Sequence, residues 1–570
     1  MKILWGYLKR IKWFVIFGPI FRMIESVLEL VTPLLVADII NNGVSTSNTG
    51  YILKMGAIIV VVNLVILLFS VLGQKFTSIA SAKIGQFYRD DLFRQVASFS
   101  HAELDRFGSA SLLTRITNDV TQIENAVGIF MRLLLRAPFL LIGSFVLSLT
   151  INVKMSLVFL VLIPLICIIL FFFMKKISPE FVVIRKKLDK ISKVTKENLT
   201  GTRVVRAFNK QEQEQVRFEG VTEDYTHTTI KVSKISAFLS PLIWLIVDIA
   251  TVGILAVGGW QINIGNMAQG DVIALVDYVA MITMSLLLLS RVIIVLVRSS
   301  ASFKRVNEVI RMQASVSEGM IKSTKKDYTN LMEFRNVCFN YTQNINDVYF
   351  IKNLSFAIKP KQTIGIIGGT GSGKTTIANL MTRFYDATSG EILYKDKNIK
   401  NYQLKKLRQE ISIVQQRSTL FGGSLRDNIK LRNKNATDEE VIEALKISQA
   451  WSFVSEWKNT LDYQIMPGGK NVSGGQMQRL TIARALIDKP EMLILDDSSS
   501  ALDFLTESKL RKELKKLDTT MVIISQRATS IKNADLIVVL DNGDVVGMGK
   551  HKDLITNCEI YQEIYNSQTK

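Results

Sequence analysis

Cysteine is scarce in this chain. Only Cys167, Cys338 and Cys558 occur in 570 residues, far apart and without ligand or framework spacing. That excludes a disulfide-stapled fold and a cysteine metal site, and fits reduced thiols facing the cytosol. Histidine is as sparse: there are three, and His551 is the only one in the second half. No small-residue cleavage site follows the opening MKILWGYLKRIKW, so a cleaved leader is not expected. Its mixture of Trp5, Tyr7 and Trp13 with Lys9, Arg10 and Lys12 suits a short helix at a membrane interface. Nor does a nucleic-acid-binding module accompany the formal charge of +20. Lys and Arg gather in segments such as RKKLDKISK (185–193), beside the ends of apolar runs, which fits membrane topology better than nucleic acid.

What the chain has in quantity is apolar sequence. Hydrophobic residues make up 48%, too much for a wholly soluble protein of this length. Six stretches of spanning length occur, at about 13–40, 51–74, 128–150, 155–174, 235–262 and 272–297, each long enough to cross a bilayer as a helix. The connections 41–53 and 258–273 contain no Lys or Arg, and the third short connection carries only Lys154. These three are expected to face outward, with the N-terminus and the basic segments 75–127 and 175–234 inside. The inner segments are long and rich in helix formers, so the second to fifth spans are expected to continue beyond the membrane as helices.

Hydropathy drops after Arg311. Residues 313–330 read as a polar linker, and a soluble domain begins near Leu331. Its apolar runs TIGIIG (363–368), MLILD (492–496) and MVIIS (521–525) alternate with helical segments, which argues for a mostly parallel sheet wrapped by helices.

Between the first of those strands and its helix stands GGTGSGKT (368–375), matching G-x-x-x-x-G-K-[ST]. Gly368, Gly369, Thr370, Gly371, Ser372, Gly373, Lys374, Thr375 and Thr376 form the expected phosphate cradle. Glycines let backbone N–H groups wrap the phosphates, Lys374 reaches the β and γ phosphates of ATP, and Thr375 offers its hydroxyl to Mg²⁺. Asp496 closes an apolar strand where a carboxylate facing that Mg²⁺ is needed.

Between these two motifs lies NVSGGQMQRL (471–480). Its Ser473, Gly474, Gly475 and Gln476 resemble the signature of ABC transporter ATPases, a Gly-rich turn that opens a helix whose N-terminus can face phosphate. The resemblance implies further roles. Tyr341 matches the aromatic residue that stacks on adenine, and Gln416 the glutamine that contacts Mg²⁺ and senses the membrane domain, although Gln415 replaces the proline often found before it. Ser500 to Asp503 matches the loop that signals between paired ATPase domains, and His551 a structural histidine. HAELDRFGSASLLTRITNDV (101–120) and ENLTGTRVVRAF (197–208) are similar to the two cytoplasmic regions with short coupling helices. The likeness implies an all-α six-helix transmembrane domain over 1–312, followed by an α/β P-loop ABC ATPase domain over 331–570. The expected location is the cell membrane, multi-pass, with the ATPase domain cytoplasmic.

Two positions depart from the pattern. Active ABC ATPases carry a glutamate after the Asp496 position and a histidine after the next strand; here these are Asp497 and Gln526. A carboxylate withdrawn by one methylene moves by roughly 1.5 Å, and a misplacement of about 1 Å can lower a rate on the order of 100-fold. The expectation is a site that binds ATP and turns it over slowly. ABC domains work in head-to-tail pairs, so the resemblance implies a heterodimer with a second half-transporter that has a complete catalytic set and uses this chain's signature, as in bacterial multidrug exporters. A nucleotide-gated channel or regulatory subunit is the competing class, and lipid or peptide the competing cargo.

Within the first span, Arg22, Glu25 and Glu29 share one helical face. Each charge costs at least about 2.5–3.5 kcal/mol in a membrane, so they either pair with one another or face a small, amphipathic, cationic substrate. Asp248 and Arg291 invite the same two readings. Phe139, Trp244, Tyr278, Met281 and Met284 either line a cavity or pack helices.

Overall fold

The computed structural model describes residues 2–322, 327–342, 348–498 and 502–569, with the side chains of Lys2, Ser178, Arg291, Val297, Arg298 and Thr569 outside that description. The chain divides into two units, one of Met1–Val96 with Ala110–Met312, the other of Ala97–Ser109 with Gln313–Lys570. Residues 97–109, inside the stretch expected to be wholly transmembrane domain, therefore belong with the second unit.

The first unit is helical throughout. Among the described residues, five helical runs are long and apolar enough to cross a membrane: Thr49–Ala97, Ser109–Ile151, Val153–Ala207, Gln211–Asn263 and Gln269–Arg311. The expected first span forms the helix Lys12–Asp38, but Arg22, Glu25 and Glu29 fall within every 18-residue window of it, and on charge it stands outside that set. At about 1.5 Å per residue, the 49 residues of Thr49–Ala97 and the 55 of Val153–Ala207 greatly exceed a hydrocarbon core of about 30 Å.

Helix Lys12–Asp38 is packed into the bundle despite its charges. A Cβ on Gly270 would lie 2.2 Å from the Ala37 carbonyl oxygen, so only glycine lets Gln269–Arg311 approach so closely. Tyr278, fully buried, donates to the Leu30 carbonyl at 2.9 Å. Its ring and hydroxyl both serve helix packing. The buried Arg22 donates to Glu25 at 2.7 Å and to Gln74 at 2.8 Å. Arg136 lies 3.4 Å from Glu25 and 3.1 Å from Glu29. Two cations thus interleave with two carboxylates, which removes the penalty of leaving any of them unpaired. Arg136, on the facing helix Arg136–Ile151, was not foreseen from the sequence.

The second unit contains two principal sheets. The antiparallel one has the order β2-β1-β4-β5, from β1 (Met332–Phe339), β2 (Ile351–Ile358), β4 (Ser389–Tyr394) and β5 (Lys397–Asn398). The second contains β3 (Thr363–Gly368), β6 (Ile411–Val414), β9 (Met492–Asp496), β10 (Thr520–Ile524), β11 (Leu536–Asp541) and β12 (Asp544–Gly549) in the order β12-β11-β3-β10-β9-β6. All its pairings are parallel except β11 with β12. The small pair β7 (Gly423–Ser424) and β8 (Gln464–Ile465) stands apart. Strands β3, β10 and β9 are neighbours and point the same way, so the segments after Gly368, Ile524 and Asp496 emerge side by side at one sheet edge, where ligands bind in such folds.

Part of the expected linker is ordered. Ile321 forms a parallel bridge with Tyr402, and its N–H donates to the Asn401 carbonyl at 2.9 Å. A Cβ on Gly319 would meet the Asn401 carbonyl at 2.3 Å. The segment is a strap bound by backbone hydrogen bonds to the rest of the second unit.

Candidate nucleotide-binding site

The phosphate cradle is built on β3 and the helix Lys374–Met381. Gly371 and Gly373 have φ of 84° and 101°, a region in which side chains are strained, and a Cβ on Gly373 would lie 2.4 Å from Ile351 Cδ1. Gly369 has open space where a Cβ would point. Thr370 and Gly371 continue the turn; Ser372 and Thr376 are buried. Lys374 Nζ donates to the carbonyls of Gly368 and Gly369 at 2.8 and 2.5 Å and to Ser372 Oγ at 3.3 Å, which folds the ammonium over the loop. Burial pushes its pKa down, against the pull of Asp496 and Asp497. A bound polyphosphate would supply the missing negative charge.

Strand β9 delivers Asp496, buried, whose Oδ1 accepts from the Thr375 hydroxyl at 3.3 Å. Burial raises its pKa, the Thr375 hydrogen bond and Lys374 pull it back, and Asp497 pushes it up further. A hydroxyl and a carboxylate side by side at the mouth of a phosphate loop are hard oxygen groups suited to Mg²⁺ with phosphates completing its shell. The residues present therefore fit ATP and Mg²⁺.

Asp497 stands next, at φ of 47°, with its N–H donated to the Ile524 carbonyl at 2.9 Å. Its Oδ2 accepts from Gln416 Nε2 at 3.3 Å. The structure thus brings together Lys374, Thr375, Asp496, Asp497 and Gln416. Burial raises the Asp497 pKa, opposed by the Gln416 hydrogen bond and the charges of Arg527 and Lys374. Gln526 follows β10. Its carbonyl accepts from Gln568 Nε2 at 2.7 Å, and the Ala528 N–H donates to Gln568 Oε1 at 2.8 Å, so one amide brackets the segment.

Tyr341 is half-exposed beside the same helix, its hydroxyl 2.8 Å from Thr376 Oγ1. The signature lies elsewhere. Ser473 Oγ accepts from the Gln476 N–H at 3.2 Å, and Gln476 Oε1 accepts from the Ser473 N–H at 2.9 Å, a reciprocal cap on the helix Gly474–Leu486. Gly474 has nothing within 4 Å of a notional Cβ, and Gly475 follows it in the first turn. That helix packs on the β6 side, where Ser412 Oγ donates to the Ala485 carbonyl, with β9 and β10 between β6 and β3. Of the loop Ser500 to Asp503, Ser500 and Ala501 lie outside the described residues; Asp503 caps the helix Phe504–Leu514 by accepting from the Thr506 N–H at 3.0 Å. His551 Nδ1 lies 2.8 Å from the Tyr561 hydroxyl, a packing role.

The helix His101–Phe107 belongs to this unit. His101 stacks on Phe384 with ring centroids 4.1 Å apart, and Tyr385 donates to Asp105. Neither Phe384 nor Tyr385 was singled out from the sequence, because their partners lie nearly three hundred positions away.

Comparison with known proteins agrees with this geometry. Residues 15–286 match the family described as ABC transporter transmembrane region, and residues 351–500 match that described as ABC transporter. The chain is 33% identical over 549 residues to the uncharacterized ABC transporter ATP-binding protein YfiB of Bacillus subtilis, covering 96% of this chain and 95% of that one. It is 31% identical over 611 residues to the putative ABC transporter ATP-binding protein MG014 of Mycoplasma genitalium, covering 98% and 97%. A solved bacterial Atm1-family ABC exporter with ATP bound shares the fold, with a TM-score of 0.80 over 99% of both chains at 21% identity. A helical membrane unit, a phosphate loop facing a strand-end aspartate, a capped signature helix and relatives matched over nearly their whole length lead to one assignment: the chain belongs to the ABC transporter family, joining a membrane domain and an ATP-binding domain in one polypeptide.

Proposed function

We propose that this chain is the ATP-retaining subunit of a heterodimeric exporter of small amphipathic molecules. Its own site, with Lys374, Thr375 and Asp496, holds ATP·Mg²⁺ with Tyr341 against the base. Its signature, Ser473 to Gln476, completes the hydrolytic site of a second half-transporter that carries the glutamate and histidine lacking here. ATP binding closes the paired ATPase domains and opens the cavity outward; hydrolysis at the partner's site resets it.

One observation carries the reading: the groups that grip phosphate are all present and mutually bonded, whereas the two positions that serve cleavage hold Asp497 and Gln526. In this chain Gln416 orients a carboxylate one methylene short of the usual reach. An amide at position 526 carries no charge toward the γ-phosphate, so the electrostatic stabilisation a cation gives there is lost.

The test compares two substitutions in the co-purified complex. Asp497→Asn is expected to change ATP turnover less than about threefold, while removing the partner's glutamate is expected to lower it by about 10²- to 10⁴-fold, the range of general-base catalysis. Equal effects would defeat the assignment. ATP-dependent uphill movement of an amphipathic cation into inverted vesicles is expected; passive conductance would favour a gated channel instead.

A further inference from the structure

Loop 382–388 leaves the far end of the phosphate-loop helix and is held rigidly. Arg383, fully buried, donates Nε to Asp386 at 2.9 Å, one terminal nitrogen to the Tyr402 carbonyl at 3.2 Å and the other to Ser317 of the strap at 2.8 Å. That fixes the next residues. Tyr385, 3% exposed, points its hydroxyl at Asp105 of the helix His101–Phe107. Its ring meets Tyr341 edge-on, with centroids 5.5 Å apart and planes at 89°. Phe339 and Phe350 complete the aromatic wall around Tyr341, at 5.0 and 5.4 Å. The Tyr341 hydroxyl contacts Thr376 next to the phosphate-gripping residues. A continuous set of contacts therefore runs from Asp105 through two tyrosines to the phosphate-loop helix. Burial and the adjacent Asp105 carboxylate hold the Tyr385 phenol in its protonated, donating form.

We propose that Tyr385 is a positioning residue for the nucleotide base: its ring sets the attitude of Tyr341, and its hydroxyl makes that attitude depend on Asp105. This rests on the assignment of Tyr341 to the base. Because coupling between sites is reciprocal, base binding and the seating of helix 101–107 on Tyr385 strengthen each other. Edge-to-face pairs and single hydrogen bonds are each worth about 0.5–1.5 kcal/mol, or about two- to twelvefold in affinity.

The test is a double-mutant cycle on the purified full-length chain, read by equilibrium binding of Mg·AMP-PNP and, separately, of inorganic tripolyphosphate, which has no base. Thermal midpoints confirm that each variant is folded. Tyr385→Phe keeps the ring and is expected to weaken AMP-PNP binding about threefold. Asp105→Ala is expected to do the same, and the double variant no more than either alone. Tyr385→Leu loses the ring as well and is expected to weaken binding about tenfold. Tripolyphosphate should bind all four alike. The proposal is overturned if the single effects add, if AMP-PNP binding does not change, or if the two ligands weaken equally. Tyr341→Ala is the reference: if it leaves AMP-PNP binding intact, the base assignment fails and this inference with it. Rapid ATP cleavage by the chain alone would end the retention reading while leaving the cycle fully interpretable, since AMP-PNP is not cleaved.

Discussion

The two halves of the nucleotide site differ in how the fold holds them. The gripping half is constrained by backbone geometry: Gly373 is tied to a left-handed φ with Ile351 pressed against it, and Lys374 is folded over two carbonyls of its own loop. The cleaving half rests on side chains at the edge of the same sheet, and Gln526 is held through its backbone carbonyl, which any residue supplies. A side chain at Gly373 strains the loop backbone and meets Ile351, whereas the backbone bonds that hold Asp497 and Gln526 do not depend on their side chains. A chain can therefore lose cleavage and keep binding.

The comparison is broken most forcefully by rebuilding the cleaving half. The double variant Asp497→Glu, Gln526→His is expected to raise ATP turnover on the order of 100-fold, because it restores the reach of the carboxylate and the missing group at the γ-phosphate. No gain would mean that other parts of the site limit cleavage. Lys374→Ala acts on the gripping half. It removes a charge-assisted contact worth about 1.5–3 kcal/mol and is expected to weaken ATP binding about ten- to a hundredfold in an equilibrium titration. Gly373→Ala should weaken nucleotide binding about tenfold by combining backbone strain with a clash against Ile351, since strained positive φ costs on the order of 1–3 kcal/mol.

The smallest effect sharpens the contrast through pH. Burial raises the Asp497 pKa above 3.8, so above that raised value the ionised form subtracts stability from the folded state. The penalty fades as pH falls through the raised value and is gone only well below 3.8, where folded and unfolded chains are both protonated. Asp497→Asn should accordingly raise the thermal midpoint of the nucleotide-free chain by about 1–3 °C at pH 8, with the gain shrinking steadily as pH is lowered through the raised value. The opposite trend would mean that the Gln416 hydrogen bond outweighs burial.

Sequence patterns made the gripping half legible because its parts are close neighbours in the chain: the loop reads directly from GGTGSGKT between a strand and a helix, and Asp496 from the end of an apolar run. Gln416 and Asp497 were each singled out only through family likeness, and their contact, which joins the segments following β6 and β9, was not foreseen. Contacts between distant segments left no local signal. Arg136 completes the charge network of the first span from another helix, and Tyr385 meets Asp105 across 280 positions of sequence. The segment 313–321 read as a plain linker because its partners, the backbone of Asn401 and Tyr402 and the side chains of Arg383 and Glu103, lie far from it in sequence.

The central claim is that this chain keeps ATP without breaking it. It is tested most directly by giving radiolabelled ATP to the purified chain without its partner and following both bound nucleotide and released phosphate. The account predicts stoichiometric binding with turnover at least about 100-fold below the roughly 10 s⁻¹ typical of enzymes. Turnover near that typical value would contradict it.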